Sequence, residues 1–152
     1  PDSTQLVLGQ WQMFGYEQSA LYTAGSDLSS PLTIYNLADS APIRQEWSPD
    51  GTYIAFTLAE INPTEMSITN RMVIVISPDG NEQQLVESGN VDFLAWSPEG
   101  TQLLYSQEAG GVRSVFIYDL VSGEKTMLPF IIDAYSDNAV DWGILSAGDL
   151  GL

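Results

Sequence analysis

Short apolar runs alternate with polar turns along the chain of 152 residues. The runs, such as Met72–Ile76, are rich in β-branched and aromatic residues, and Gly, Pro, Asn and Asp gather between them. Runs of this length and composition are typical of strands. No stretch repeats its apolar positions every ~3.6 residues, as a helix would. The pattern therefore predicts an all-β fold.

Two eleven-residue segments share one pattern. Trp47–Thr57 has the sequence WSPDGTYIAFT, and Trp96–Ser106 has the sequence WSPEGTQLLYS. The proline sets φ for the first position of a turn, and the glycine two residues later accepts a positive φ. Each segment is therefore predicted to contain the end of one strand, a tight turn and a second apolar strand.

A second pattern follows each of these segments. Ile74–Gly80 and Ile117–Gly123 each hold a short apolar strand that ends in a turn, and Ile34–Ser40 fits the same frame. We therefore align these three stretches as the same strand of successive repeats.

The four tryptophans fall into the same register. Trp11, Trp47, Trp96 and Trp142 are separated by 36, 49 and 46 residues (47−11, 96−47, 142−96), and Gly15 follows Trp11 as glycines follow Trp47 and Trp96. This repetition favours packing between repeats over a role in stacking on a ligand. A period of ~40–45 residues with four strands per unit is the signature of a propeller blade. One domain is predicted, with units at approximately 5–40, 41–89, 90–130 and, as a partial unit, 131–152.

The pattern of Trp47–Phe56 resembles the WD40-like (PD40) repeat of the TolB-type β-propellers, and the resemblance covers about residues 41–130. It implies four-stranded antiparallel blades around a central axis. It also implies an extracytoplasmic location, periplasmic, secreted or at the cell surface, and a role in binding other proteins. Similar repeats occur in the propeller domains of prolyl-oligopeptidase-like peptidases, whose chemistry lies in a separate domain. The resemblance supplies no catalytic residue.

Spacing and number of the repeats depart from a closed propeller. Ile34 lies 13 residues before Trp47, whereas the corresponding intervals before Trp96 and Trp142 are 22 and 25 residues. The first unit is therefore expected to lack one strand, the outermost. About three blades predict an incomplete or open propeller, because closed propellers typically need at least four. Further blades of the same polypeptide, a different subunit or a homodimeric partner would cover the open faces.

Charge and composition exclude several functions. The net charge is −16, from 20 acidic and four basic residues, which disfavours nucleic acid and anionic lipid as partners. Cysteine and histidine are both absent, which excludes thiol catalysis, an imidazole base and a Cys/His zinc site. No apolar run is long enough for a membrane span.

The acidic residues are candidates for two kinds of role, as metal ligands and as catalysts. Turn chemistry accounts for Asp50, Asp79 and Glu99 better than a calcium loop does, because their spacing matches none. A denser group of oxygen ligands is a weaker candidate for a cation site. Its members are Asp133, Asp137, Asn138 and Asp141. A hydrolase that uses two carboxylates stays open as a third hypothesis, but no pair stands out. The prediction is no enzyme, no cofactor and no metal.

The segment 59–70 is predicted to be a polar insertion between two strands of the second unit. Asn62–Pro63 is a turn signal and argues against a continuous strand there. Because loops on a rigid scaffold carry recognition, this segment is the candidate surface for binding a partner. The candidate residues are Glu60, Ile61, Asn62, Thr64, Glu65 and Met66.

The predicted function is a non-catalytic module for protein binding or scaffolding in a larger extracytoplasmic assembly. The alternative is a regulatory or gating propeller of a peptidase-like enzyme whose catalytic domain lies outside this chain.

Overall fold

A computed structural model describes residues 4–10, 19–132 and 142 of the chain. These residues form strands and turns, without a helix, and so confirm the predicted all-β fold. The strands in chain order are β1 Gln5–Gln10, β2 Ser19–Gly25, β3 Leu32–Leu37, β4 Ser40–Trp47, β5 Ile54–Asn62, β6 Ser67–Ile76, β7 Gln83–Ser88, β8 Val91–Trp96, β9 Gln102–Ala109, β10 Val112–Asp119 and β11 Lys125–Ile132.

The strands form three antiparallel sheets that follow the chain. The first sheet has the order β1-β2-β3, the second β4-β5-β6-β7 and the third β8-β9-β10-β11. Each sheet packs its face against the next, so that β4 lies against β1 and β2, and β8 lies against β5 and β6. These are three successive blades of an incomplete β-propeller, which confirms the predicted fold class. Among the described residues, the first blade has three strands rather than four.

Apolar side chains fill the two spaces between blades. Between the first and second blades, Leu21 and Ile34 pack against Phe56 and Ile74. Between the second and third blades the core is also apolar, and its members include Val73, Val75, Phe93, Trp96, Leu103 and Tyr105. Burial on both faces explains why β5 and β6 read as continuous apolar runs rather than alternating ones.

The two tryptophan segments adopt one structure. Trp47 pairs with Ile54 at the β4–β5 turn, and Trp96 pairs with Leu103 at the β8–β9 turn. In both turns the glycine N–H donates to the carbonyl of the serine three residues earlier, at 2.9 Å. The predicted equivalence of Trp47 and Trp96 is confirmed.

The first blade is aligned differently from the prediction. β3 is joined to β4 by Ala38–Asp39, as β7 is joined to β8 by Gly89–Asn90. Asp39 and Asn90 both have a positive φ, 53° and 51°. The Asp39 carbonyl accepts from Ile61 N–H of β5 at 2.8 Å, and the Asn90 carbonyl accepts from Glu108 N–H of β9 at 3.1 Å. β3 therefore corresponds to the fourth strand of a blade, as β7 is the fourth strand of the second blade.

The turn before β3 agrees with this assignment. Leu28 N–H donates to Gly25 O at 2.8 Å, as Gly80 N–H donates to Ser77 O at 2.9 Å in the turn between β6 and β7. Leu28 takes the left-handed conformation at φ 64°, where the second blade has Gly80 at φ 77°. The first sheet thus contains the second, third and fourth strands of a blade.

The expectation that the first blade lacks its outermost strand is therefore wrong, because the strand absent from the described residues is the first. The frame that placed Ile34 with Ile74 and Ile117 is wrong for the same reason. Third and fourth strands are both short and β-branched, so a few residues cannot distinguish them. Trp11 follows a second strand, not a first, in this topology; Trp11 itself lies outside the described residues.

Candidate functional site

The candidate partner-binding segment is a β-hairpin rather than an irregular insertion. β5 runs without interruption to Asn62, and β6 starts at Ser67. The turn signal at Asn62–Pro63 is confirmed, because Pro63 lies in the turn, where no ladder N–H is needed. The expectation that 59–70 is an insertion between strands is wrong, because 59–62 belong to β5 and 67–70 belong to β6. Pro63–Met66 form this turn, which we call the hairpin tip.

Asn62 organises the hairpin tip. Its Oδ1 accepts from Thr64 N–H at 2.9 Å and Glu65 N–H at 3.2 Å. Its carbonyl accepts from Met66 N–H at 2.8 Å. An asparagine side chain that satisfies the backbone in this way holds a turn in one conformation. The tip is therefore a defined shape.

The hairpin extends further from the blade than its counterpart in the third blade. Asn62 lies eight residues after Ile54, whereas Ala109 lies six residues after Leu103. Two more residues at about 3.4 Å each extend the strands by roughly 7 Å. The counterpart also turns through two residues, Gly110–Gly111, instead of four. The β5–β6 hairpin thus protrudes from this end of the propeller.

Apolar side chains are exposed on the protruding part. Met66 is 49% exposed and Ile68 is 51% exposed. Ile68 pairs across the strands with Ile61, which is half-buried. Glu60 and Glu65 flank this apolar surface. We call Ile61, Met66 and Ile68 the hairpin patch.

All six predicted residues lie on this hairpin. Glu60, Ile61 and Asn62 belong to β5 and are partly buried, whereas Thr64, Glu65 and Met66 belong to the exposed tip. The prediction omitted Ile68. Its position opposite Ile61 depends on a shift in strand register between Glu60 and Ile61, which the sequence does not reveal.

The base of the hairpin is fixed to the third blade by an ion-pair network. Arg71 Nη1 of β6 lies 2.8 Å from Asp92 Oδ2 of β8. Arg113 Nη2 lies 3.8 Å from the same oxygen and 3.5 Å from Glu108 Oε2. Asp92 is nearly buried, so its charge needs these partners. The network joins two blades directly below the hairpin.

The turn carboxylates serve the backbone. Burial opposes ionisation of Asp50, but hydrogen bonds from Ser48 and Thr52 outweigh it and hold the pKa of Asp50 below its usual value. Asp79 accepts from the Ser77 hydroxyl, which is the main reason for its lowered pKa. These bonds agree with turn chemistry for Asp50 and Asp79.

Asp119 has the most strongly lowered pKa among these turn carboxylates. The Ser122 N–H donates to Asp119 Oδ1 at 2.9 Å, and the Gln102 amide donates to Oδ2 at 3.0 Å. With the Ser122 hydroxyl, these donors lower the pKa of Asp119 to about 2.

Metal ligands are not clustered in the part of the chain that the structure describes: no group of three or more acidic side chains there could hold an ion. The predicted acidic group at Asp133, Asp137, Asn138 and Asp141 lies outside the described residues. Within the same part of the chain, no helix has the length and apolar character to cross a membrane.

The fold is similar to that of known propellers. TolB from Acinetobacter baumannii matches with a TM-score of 0.65 and 17% identity, over 84% of this chain and 31% of that one. A putative TolB from Agrobacterium tumefaciens matches with a TM-score of 0.62 and 16% identity, over 91% of this chain and 54% of that one. The β-propeller domain of the Trilobed protease from Pyrococcus furiosus, described as having an open velcro topology, matches with a TM-score of 0.57 and 16% identity. This match covers 86% of this chain and 40% of that one.

These similarities define a TolB-like β-propeller fold. The chain spans about a third of the length of the Acinetobacter protein and about half of the Agrobacterium protein. No family model and no curated protein matches the sequence.

Proposed function

We propose that this chain is a non-catalytic propeller module that binds a protein partner through the hairpin patch. The observation that carries the proposal is the exposure of Met66 and Ile68 on a hairpin whose tip and base are both held in place. Rigid protrusions that expose apolar side chains lose little conformational freedom on binding. Each of these two side chains is already about half buried, so covering the rest of it contributes about half of the ~1.5–3 kcal/mol of full burial.

Charge restricts the partner. The chain carries a net charge of −16, and Glu60 and Glu65 border the patch. A partner with an apolar pocket and a basic rim complements this surface, and opposite potentials accelerate association. A second acidic protein would be repelled.

The setting that we propose is a larger extracytoplasmic assembly that supplies further blades. The resemblance of the repeats to the PD40 type and the TolB-like fold support it. Absence of catalysis is part of the proposal. It is supported by the lack of histidine and cysteine and by the ion pairs that engage the nearly buried Asp92.

A second candidate function is a gating or regulatory propeller that accompanies a peptidase domain outside this chain. The similarity to the propeller domain of a protease favours it. In this arrangement the hairpin patch would contact the catalytic domain. If the partner proves to be a hydrolase domain, the chain is a gating propeller rather than a scaffold.

Site-specific cross-linking tests the proposal. A photoreactive residue in place of Met66 should capture a defined partner in the native cell. The same residue in place of Val121, which is exposed at the opposite end of the third blade, is the control. Equal capture from both positions would contradict a specific role for the hairpin.

The affinity of the chain and its variants for the captured protein then measures how much the hairpin patch contributes to binding. Ile68→Asp should weaken binding at least tenfold, which is about 1.4 kcal/mol. The variant loses the apolar contact of Ile68 and also places an unpaired carboxylate in the apolar interface. Leu85→Asp, at a similarly exposed leucine on β7, should bind as the wild type does. Unchanged binding by Ile68→Asp would refute the proposal.

A further inference from the structure

Two residues of the hairpin patch face the third blade. Thr57 Oγ1 of β5 accepts from Phe93 N–H of the third blade at 2.9 Å. Side chains alternate along a strand, so Ile61, four residues after Thr57, lies on the same face of β5. Ile68 pairs with Ile61 and shares that face. Both isoleucines therefore lie on the side of the hairpin where the third blade stands.

An exposed valine lies on the facing side of the third blade. The pairing of β9 with β10 has no shift, so alternation places Val112 on the same face as Phe116. Phe116 packs against the core between the second and third blades. Its partner Tyr105 is 1% exposed, whereas Val112 is 47% exposed. The apolar face of the third blade thus continues past the core to Val112.

The two exposed faces lie at the same height. Ile54 and Leu103 hold equivalent positions, because each pairs with the tryptophan of its blade. Ile61 lies seven residues after the first of them (61−54), and Gly110 lies seven residues after the second (110−103). Apart from its chain neighbours, a Cβ on Gly110 would have no heavy atom within 4 Å. The space beside Gly110 is therefore open.

The connection between β7 and β8 forms the base of this space. Gly89 N–H donates to the carbonyl of Arg71 in β6 at 3.0 Å. The Asn90 carbonyl accepts from Glu108 N–H of β9 at 3.1 Å. Both connecting residues are exposed, and a Cβ on Gly89 would also meet nothing within 4 Å. We call this space the interblade cleft, with Ile61 and Ile68 on one wall, Gly110 and Val112 on the other, and Gly89–Asn90 at the base.

The dimensions of the interblade cleft suit an extended chain. Packed sheets lie about 10 Å apart, and in the core below, side chains from both blades fill that distance. In the cleft, Ile61 faces a glycine, so one layer of side chains is missing. A helix is about 10–12 Å wide with its side chains and is too thick. An extended segment can insert alternate side chains from one of its faces.

Charge favours a basic segment. Arg71 and Arg113, the arginines near the base, are both engaged by Asp92, at 2.8 and 3.8 Å. Glu60 and Glu65 lie beside the hairpin wall, and the whole chain carries a net charge of −16. Lysine or arginine next to an inserted apolar residue therefore complements the surroundings of the cleft.

We propose that the partner of this chain inserts an extended segment into the interblade cleft, with large apolar side chains that alternate with lysine or arginine. This inference rests on the proposed function, because the hairpin patch supplies one wall of the cleft. The inserted side chains contact Ile68 and Val112 together and continue the apolar packing between the two blades. The short β9–β10 turn is thus as much a part of the binding site as the protruding hairpin.

Binding of a defined peptide tests the inference. The probe is the fluorescein-labelled peptide Lys-Ile-Lys-Ile-Lys-Ile-Lys, and its affinity for the chain is measured by fluorescence anisotropy. The same peptide with glutamate in place of lysine should not bind. Ile68→Asn and Val112→Asn should each weaken binding of the lysine peptide roughly fivefold or more. Leu85→Asn, at a 54% exposed leucine of β7, is the matched control and should bind as the wild type does.

Val112→Trp separates insertion from general adhesion to apolar surface. The indole enlarges the exposed apolar surface but fills the cleft. It should therefore weaken an inserted peptide and strengthen one that only adheres to the surface. Circular dichroism that matches the wild type shows that each variant is folded. These substitutions all keep the net charge of the chain, so a change in affinity does not come from charge.

Backbone amide resonances locate the bound peptide. Those of Gly89, Gly110 and Gly111 should shift when the peptide is added. Gly123, in the turn at the opposite end of the third blade, should keep its position.

Absence of peptide binding by the wild type, or an equal loss in Leu85→Asn, would overturn the interblade cleft as a binding site. So would unchanged or tighter binding by the Val112 variants. If Ile68→Asp still weakens binding to the protein captured at Met66, the proposed function stands without the cleft. If Ile68→Asp leaves that binding unchanged, the proposed function itself fails.

Discussion

Replacement of Gly80 by alanine tests how the first blade is attached. Gly80 lies in the turn between β6 and β7 with φ 77°. A Cβ at this position would lie 2.8 Å from the carbonyl oxygen and 3.1 Å from Cα of Ile34, both backbone atoms of β3. Gly123 lies in the corresponding turn of the third blade with φ 71°, and its Cβ would meet only the Tyr118 hydroxyl at 3.7 Å.

The comparison of the two glycines separates backbone strain from contact between blades. Both alanine variants incur about 1–2 kcal/mol for a left-handed L-residue, and both gain the same small benefit from a less flexible unfolded chain. Only Gly80→Ala also forces β3 to move, which costs about 1–3 kcal/mol by analogy with overpacked cores. We expect Gly123→Ala to lose about 1–2 kcal/mol of unfolding free energy and Gly80→Ala to lose about 2–5 kcal/mol.

Urea titrations of the wild type and both variants, followed by tryptophan fluorescence, measure the difference. The denaturant slope must stay constant for the comparison to hold. If Gly80→Ala is no less stable than Gly123→Ala, the turn does not contact β3, and the packing of the first blade described above is incorrect.

Three further predictions concern buried bonds, pH and metal. Thr57→Val should lower the unfolding free energy by about 1–3 kcal/mol, because Phe93 N–H loses its acceptor at 2.9 Å. Thr57→Ser keeps a hydroxyl and should retain most of the stability. Equal urea midpoints for the two variants would argue against this bond. Folding lowers the pKa of Asp119 to about 2, so its contribution to stability is present above its unfolded pKa near 4 and is lost as the pH falls toward 2. The difference in unfolding free energy between the wild type and Asp119→Asn should therefore disappear between pH 4 and pH 2. A difference that stays constant with pH would exclude this role. EDTA should leave the melting temperature unchanged, whereas a large decrease would reveal a cation site near Asp137.

Local turn chemistry was readable from the sequence. The serine, proline and glycine of each turn act within six residues of one another, so Ser48 and Ser97 make the same backbone bonds in both blades. This short range is why the repeat, the all-β fold and the match of Trp47 with Trp96 could be predicted. The hairpin residues were found for a related reason, because an insertion is visible as extra length between two recognisable strands.

Strand identity in the first blade was decided only by the tertiary structure. Leu21 and Ile34 are both apolar strand residues, and nothing local states which neighbour pairs with each. Hydrogen bonds across the sheets, such as Ile61 N–H to the carbonyl of Asp39, make that distinction.

The features with consequences for binding have the same origin. Exposure of Ile68 and its position opposite Ile61 depend on a shift in strand register between Glu60 and Ile61. The sequence by itself determined the turns and the alternation of strands, because those interactions lie between near neighbours in the chain. The tertiary structure decided pairing order, register and exposure, because those depend on contacts between residues that are distant in sequence.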